Sequence, residues 1–127
     1  MKYLCTYMED KQTALFEETN TFFAFSRKQF EEGKKEGITY INMGAGMLCD
    51  KRHVEKLING LHKIYKDSIK QDIKENGIDA IIKRELANHE AWYTMDIQDP
   101  CDKLKDYPIS KKQIKQIYIE TDYDYTF

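Results

Sequence analysis

The 127-residue chain has no long apolar run. Nothing in it approaches the roughly 20 consecutive apolar residues that a membrane-spanning helix needs. Its opening residues, Met1 to Gln12, hold no apolar stretch of about seven or more. That is too short for the core of a secretory signal, so the expected location is the cytoplasm. Proline is scarce: Pro100 and Pro108 are the two present, and no linker of low complexity occurs. The expected organisation is one domain over residues 1–127. Cysteine is also scarce, with Cys5, Cys49 and Cys101 widely spaced. An odd count without a secretory signal reads as reduced thiols and not as a disulfide framework. No charge of one sign prevails either. Twenty Lys and Arg face 22 Asp and Glu, a net charge of −2, which lacks the strong basic footprint of a nucleic-acid binder. Nine Tyr, six Phe and one Trp set the chain apart from aromatic-poor disordered segments.

What is present is strongly patterned. Leu4, Tyr7, Met8, Ala14 and Leu15 fit a helical stripe, which Thr19-Asn20-Thr21 breaks. Phe22 to Phe25 is an aromatic run suited to a buried strand. Ser26 with Gln29 three residues later forms a capping box, and Phe25 with Phe30 stands at the positions of a hydrophobic staple. Ile38 to Met43 reads as a second strand, Gly44-Ala45-Gly46 as a turn, and Met47 to Cys49 as the strand continuing after it. Asp50 is placed as an N-cap. Val54, Leu57, Ile58, Leu61, Tyr65, Ile69 and Ile73 then recur at spacings of three and four. The spacing predicts a long amphipathic helix over about 51–75, ended by Asn76-Gly77. A second helix is predicted over about 78–93, with Ile78, Ile81, Ile82, Leu86, His89, Trp92 and Tyr93 along one face.

Asp99-Pro100 opens an irregular stretch with room for one helical turn. Ile109-Ser110-Lys111-Lys112-Gln113-Ile114 then repeats the device of Phe25 to Phe30: a capping box flanked by a staple. Thr121, Tyr123, Tyr125 and Phe127 alternate with Glu120, Asp122, Asp124 and Thr126, the period-two mark of a strand with one buried and one wet face. The expected fold is α+β: a small antiparallel sheet of two to four strands packed against about four helices.

Candidate chemistry is sparse. His53 and His62 lie nine residues apart on the long helix, about 900° of turn, which puts them on opposite faces. No set of four zinc ligands emerges, and neither a metal nor a cofactor is expected. Gly44-x-Gly46 is too short for a phosphate cradle. Paired carboxylates and lone cysteines read as solvated faces and packing, so no catalytic residue is assigned. Three surfaces remain. His89, Trp92 and Tyr93 fall in the densest cluster of residue types common at binding hot spots. Glu120, Asp122 and Asp124 would form a row of carboxylates on the last strand, able to imitate a nucleic-acid backbone. Lys56, Lys63, Lys66 and Lys70 would form a basic stripe able to contact phosphates, weakened by Glu55, Asp67, Asp72 and Glu75.

Two blocks carry a resemblance. One runs Phe22-Phe23-Ala24-Phe25-Ser26, Gln29-Phe30 and Glu32-Gly33. The other is Asn88 to Thr94, followed by Asp106-Tyr107 and the Ser-capped, Ile-rich helix. Over about residues 20–120 the chain resembles small uncharacterised proteins carried by bacteriophages and mobile elements. The resemblance implies a genomic setting and no reaction. By analogy it points to a non-enzymatic protein that binds and inhibits a host protein, a bacterial defence nuclease first among them, as anti-CRISPR proteins do. The alternatives are a nucleic-acid-associated accessory protein using the Lys-rich helix, and a small enzyme or ligand-binding domain centred on His89 and Glu90.

Overall fold

The computed structural model describes residues 2–121. In chain order the elements are α1 (Leu4–Glu18), β1 (Phe22–Phe23), α2 (Arg27–Gly33), β2 (Tyr40–Gly44), β3 (Met47–Asp50) and α3 (Val54–Asn76), which a 3-10 turn over Lys51–His53 precedes. Then follow α4 (Ile78–Asn88), α5 (Ala91–Thr94), α6 (Gln98–Lys103) and α7 (Lys111–Glu120). The fold is α+β, with one antiparallel sheet of order β1-β3-β2. Among the described residues no helix is long and apolar enough to cross a membrane. The described chain forms two compact units, residues 4–68 and residues 2–3 with 69–121.

In the first unit the sheet is covered on both faces. Phe22 and Tyr40 meet edge to face at 5.1 Å, and Phe30 of α2 stacks on Phe22 at 6.1 Å. On the opposite face Phe23 meets Phe16 of α1 edge to face at 5.4 Å. There Cys49, Leu15 and Leu57 form the buried centre, with Met43, Met47, Leu61 and Ile64 packed around it. The alternation of side chains along β3 produces the two faces. Gly44, Ala45 and Gly46 all have positive φ in the β2–β3 turn. Glycine is required twice over at Gly46: its φ is +79°, and a Cβ there would lie 2.5 Å from the Phe25 ring.

The aromatic run stops being a strand sooner than its composition suggests. β1 ends at Phe23, and Phe25 is 76% exposed instead of buried. The physical reason is the helix cap. Ser26 Oγ accepts from Gln29 N at 3.2 Å, while Gln29 Oε1 accepts from Phe25 N at 2.7 Å, turning the chain out of the sheet. The expected Phe25–Phe30 staple is therefore replaced by Phe30 on Phe22.

In the second unit α5, α6 and α7 pack against α4, and Ile81, Ile82, Leu86, Leu104 and Ile114 are buried. Ser110 and Gln113 form the full capping box at the start of α7. α7 extends through Glu120. Glu120 is thus helical and does not begin a strand; the intrahelical bond from Gln116 Nε2 to its Oε1, 3.0 Å, accompanies this. The rest of the expected terminal strand lies outside the described residues.

Candidate functional site

The predicted helix over 78–93 is broken. α4 ends at Asn88, and Glu90 takes a left-handed φ of +52°. α5 then makes a single turn, and Met95 is left-handed again at +57°. Backbone bonds from Tyr93 N and Thr94 N to Glu90 O, both 3.0 Å, hold this turn. Two left-handed non-glycine residues cost about 1–3 kcal/mol each, so surrounding contacts must fix them. One such contact is Trp92. Its indole N–H donates to Tyr118 O of α7 at 3.0 Å, and the two rings stack at 6.0 Å with planes 18° apart. Ala91 is fully buried beside it in sequence. The outcome is an aromatic ledge. Tyr93 is 66% exposed and Met95 82%; Ile119, also exposed, lies on the face of α7 that carries Lys112, Lys115, Gln116 and Glu120.

The break separates the residues the sequence had placed on one face. His89 caps α4 and is part-buried, with its Nε2 3.6 Å from Glu85 Oε2. Neither of those atoms makes a hydrogen bond. Glu90 is exposed and does not partner His89. The structure therefore brings Trp92 to Tyr118, leaves Tyr93 and Met95 exposed on the turn, and leaves His89 facing a buried carboxylate.

That carboxylate belongs to an ionic cluster that charge counting missed. Asp72 of α3 is fully buried. Its oxygens accept from Arg84 Nη1 at 2.8 Å and Nη2 at 2.9 Å, from Tyr107 Oη at 2.6 Å and from Asn76 Nδ2 at 2.7 Å. Arg84 Nε donates to Glu85 Oε1 at 2.9 Å, and Nη1 also donates to Lys2 O at 3.0 Å. The Tyr3 ring lies 5.8 Å from the guanidinium. Burial pushes the Asp72 carboxyl up, but the hydrogen bonds from Arg84, Tyr107 and Asn76 outweigh it and leave it below the usual carboxylate range. Burial acts on Arg84 in the opposite direction, and its bonds and charge contacts with Asp72 still raise it. Burial and the bond to Asp72 together raise the Tyr107 phenol. Apart from Glu85 Oε2, the side-chain acceptors of Asp72 and Glu85 are taken up within the cluster, an arrangement that fixes the last turns of α3 against α4. Asp72 was expected on a solvated face beside the lysines, and the structure corrects that.

The remaining candidates are spread out. Lys56, Lys63, Lys66 and Lys70 are all exposed on α3, and Lys56 pairs with Glu18 at 3.3 Å. Glu120 is exposed at the end of α7, while Asp122 and Asp124 lie outside the described residues. All three cysteines are free. Among the described residues no three of the His, Cys, Asp or Glu side chains are grouped to hold a metal ion. In the first unit an open groove of about 370 Å³ runs over Gly60. It exists where a Cβ would lie 2.7 Å from Leu15, so it marks close packing of α1 on α3.

The model of a family of unknown function, DUF7659, matches residues 4–122. No curated protein and no solved structure matches the chain.

Proposed function

The chain belongs to the family of unknown function DUF7659, and we propose that it is a non-enzymatic protein of phage or mobile-element origin that binds and inhibits a host protein. The partner class is a bacterial defence nuclease, and the place of action is the bacterial cytoplasm. The observation that carries this reading is the ledge itself. Tyr93 and Met95 are large and exposed, and they stand on a turn held by Trp92 against Tyr118. Aromatic and methionine side chains concentrate at the centres of protein interfaces, and a rigid support lowers the entropy lost on association.

The test is a cleavage assay. Excess purified chain is added to purified RNA-guided and restriction nucleases, and cutting of a labelled duplex is followed. Support is inhibition that Tyr93→Ser with Met95→Asn abolishes at an unchanged melting temperature; Asn is chosen because it tolerates left-handed backbone. Undiminished cutting across the panel, or inhibition insensitive to the double substitution, refutes the reading.

One observation favours the nucleic-acid alternative. Asp72 is drawn inward, so one fewer carboxylate opposes the exposed Lys63, Lys66 and Lys70 of α3. Phosphate contacts of that kind would make log affinity fall linearly with log salt, and Lys66→Glu with Lys70→Glu would flatten the slope. Absence of any shift of labelled DNA or RNA at low salt removes this alternative.

A further inference from the structure

β2 is an edge strand, since the sheet runs β1-β3-β2. The direction of its backbone groups follows from the ladder. Lys51 N donates to Thr39 O at 2.9 Å. Hydrogen-bonded and non-hydrogen-bonded pairs alternate along antiparallel strands. Ile41 opposite Cys49 is therefore the next bonded pair, while Tyr40 opposite Asp50 and Asn42 opposite Leu48 are not. β1 agrees. Ala24 N donates to Gly46 O at 2.9 Å, which makes Phe22 and Leu48 a bonded pair and turns Leu48 toward β1, away from Asn42. The N–H and C=O of Tyr40 and of Asn42 thus point out of the sheet edge. Among the described residues no backbone group outside the ladder bonds to them.

An edge of this kind is a template for another strand, and natural sheets blunt it with charges, with proline or with a bulge. Here the first two are missing. Residues 37–49 hold no Asp, Glu, Lys, Arg, His or Pro, the longest uncharged stretch in a chain that is 33% charged. The bulge between Asn42 and Gly44 comes after the outward groups and leaves them in register. Thr39, Ile41 and Asn42 are all exposed, Ile41 by 37%, which leaves the edge uncovered among the described residues.

We infer that β2 pairs with β2 of a second copy of the chain, antiparallel about a two-fold axis through Ile41. That register sets Tyr40 of each copy opposite Asn42 of the other as hydrogen-bonded pairs, and their N–H···O=C bonds take up every outward group. Ile41 meets Ile41 of the second copy as the close pair between them, with Cα atoms about 4.5 Å apart and the two side chains covering each other. Charge selects this occupant. A nucleic acid would find no cation on the edge, and a charged peptide no counter-charge. An uncharged strand meets its own copy with no like charges opposed. The contact is small, which places the dimer among weak, transient interfaces. The edge belongs to the first unit, and the inference is independent of the ledge.

The experiment follows amide hydrogen exchange of the ¹⁵N-labelled full chain at a low and a twentyfold higher concentration, with light scattering on the same samples. At low concentration the Tyr40 and Asn42 amides should exchange fast, while that of Ile41, bonded to Cys49, is protected. At the higher concentration the first two should slow at least threefold, the third should stay as it was, and the mean mass should rise above that of one chain. Asn42→Pro removes an outward N–H and no bond to β3, so it should abolish the concentration dependence and leave the Ile41 amide protected. Ile41→Lys sets like charges against each other at the axis and should do the same, which keeps the test decisive where proline disturbs the hairpin.

Tyr40 and Asn42 amides that exchange alike at both concentrations overturn the inference. So does slowing that survives Ile41→Lys, or slowing centred on Tyr93 and Met95, where copies would be meeting through the ledge. Protection of the edge amides by an added nuclease, with none on raising the concentration, assigns the edge to a foreign strand and removes the second copy.

Discussion

Replacing Arg84 by Met is the sharpest test of the buried cluster. The substitution keeps much of the side-chain volume and removes the guanidinium. Asp72, fully buried, then loses the donors at 2.8 and 2.9 Å and keeps those of Tyr107 and Asn76. Glu85 loses its bond at 2.9 Å, and Lys2 O its partner at 3.0 Å. Breaking a buried ion pair from one side costs about 3–5 kcal/mol, because a desolvated charge is left behind. At about 4 °C per kcal/mol for a chain of this length, the melting temperature should fall by about 10–20 °C. Urea unfolding followed by circular dichroism should show a lower midpoint at an unchanged slope.

The pH dependence gives an independent sign. In the wild type Asp72 titrates below its ordinary value. Its contribution is therefore present above the unfolded carboxylate pKa of about 3.9 and is lost as pH falls through the lower folded value. In Arg84→Met burial dominates and raises the folded value, so the deficit should shrink as pH falls from 7 toward 4. Arg84→Met with Asp72→Leu should cost less than the two single changes added, since a matched pair is removed together. A single-variant loss under about 1 kcal/mol, or strict additivity, would refute the reasoning.

Tyr107→Phe removes the 2.6 Å bond to Asp72 and should cost about 1.5–3 kcal/mol in the same urea assay, as for hydrogen bonds to charged groups. Gly60→Ala places a Cβ 2.7 Å from the buried Leu15, and calorimetry should find about 1–3 kcal/mol of overpacking. Ser110→Ala deletes the capping bond at 3.1 Å to Gln113 N and should cost about 1 kcal/mol, with Ser110→Asp near neutral. Asp50 is held well below the usual carboxylate range by the Arg52 side chain against the effect of burial. Its stabilisation is present above the unfolded value and is lost as pH falls through the depressed one. Asp50→Asn should therefore flatten the acid side of the stability profile without steepening the alkaline side.

The elements that local chemistry determines were legible in the residues. α3 follows from three-and-four spacing ended by Asn76-Gly77, and α7 begins where Ser110 and Gln113 exchange hydrogen bonds. The hairpin follows from the glycines at 44 and 46. The break at Glu90 was not legible, because neither Gly nor Pro marks it; the turn is held by Trp92 reaching Tyr118, 26 residues away. The ionic cluster was hidden for a related reason. Asp72 binds Arg84 and Tyr107 across 12 and 35 residues, and a charge is read as solvated until its partner is seen. A signal did exist: Asp72 continues the stripe of Leu57, Leu61, Tyr65 and Ser68, and Arg84 and Glu85 interrupt Ile81, Ile82 and Leu86. A charged residue on an apolar helical face asks for a buried counter-ion. At the ledge, the residue types of Trp92 and Tyr93 were recognised, while Met95 was not.

Trp92 is the chain's sole tryptophan, and it is anchored to Tyr118 under the exposed ledge. The protein therefore carries its own fluorophore at the surface in question. Excitation at the red edge of the absorption band would address that indole alone, and a partner settling over Tyr93 would change its solvent access. Emission wavelength and iodide quenching would then report occupancy of the ledge on the unlabelled molecule.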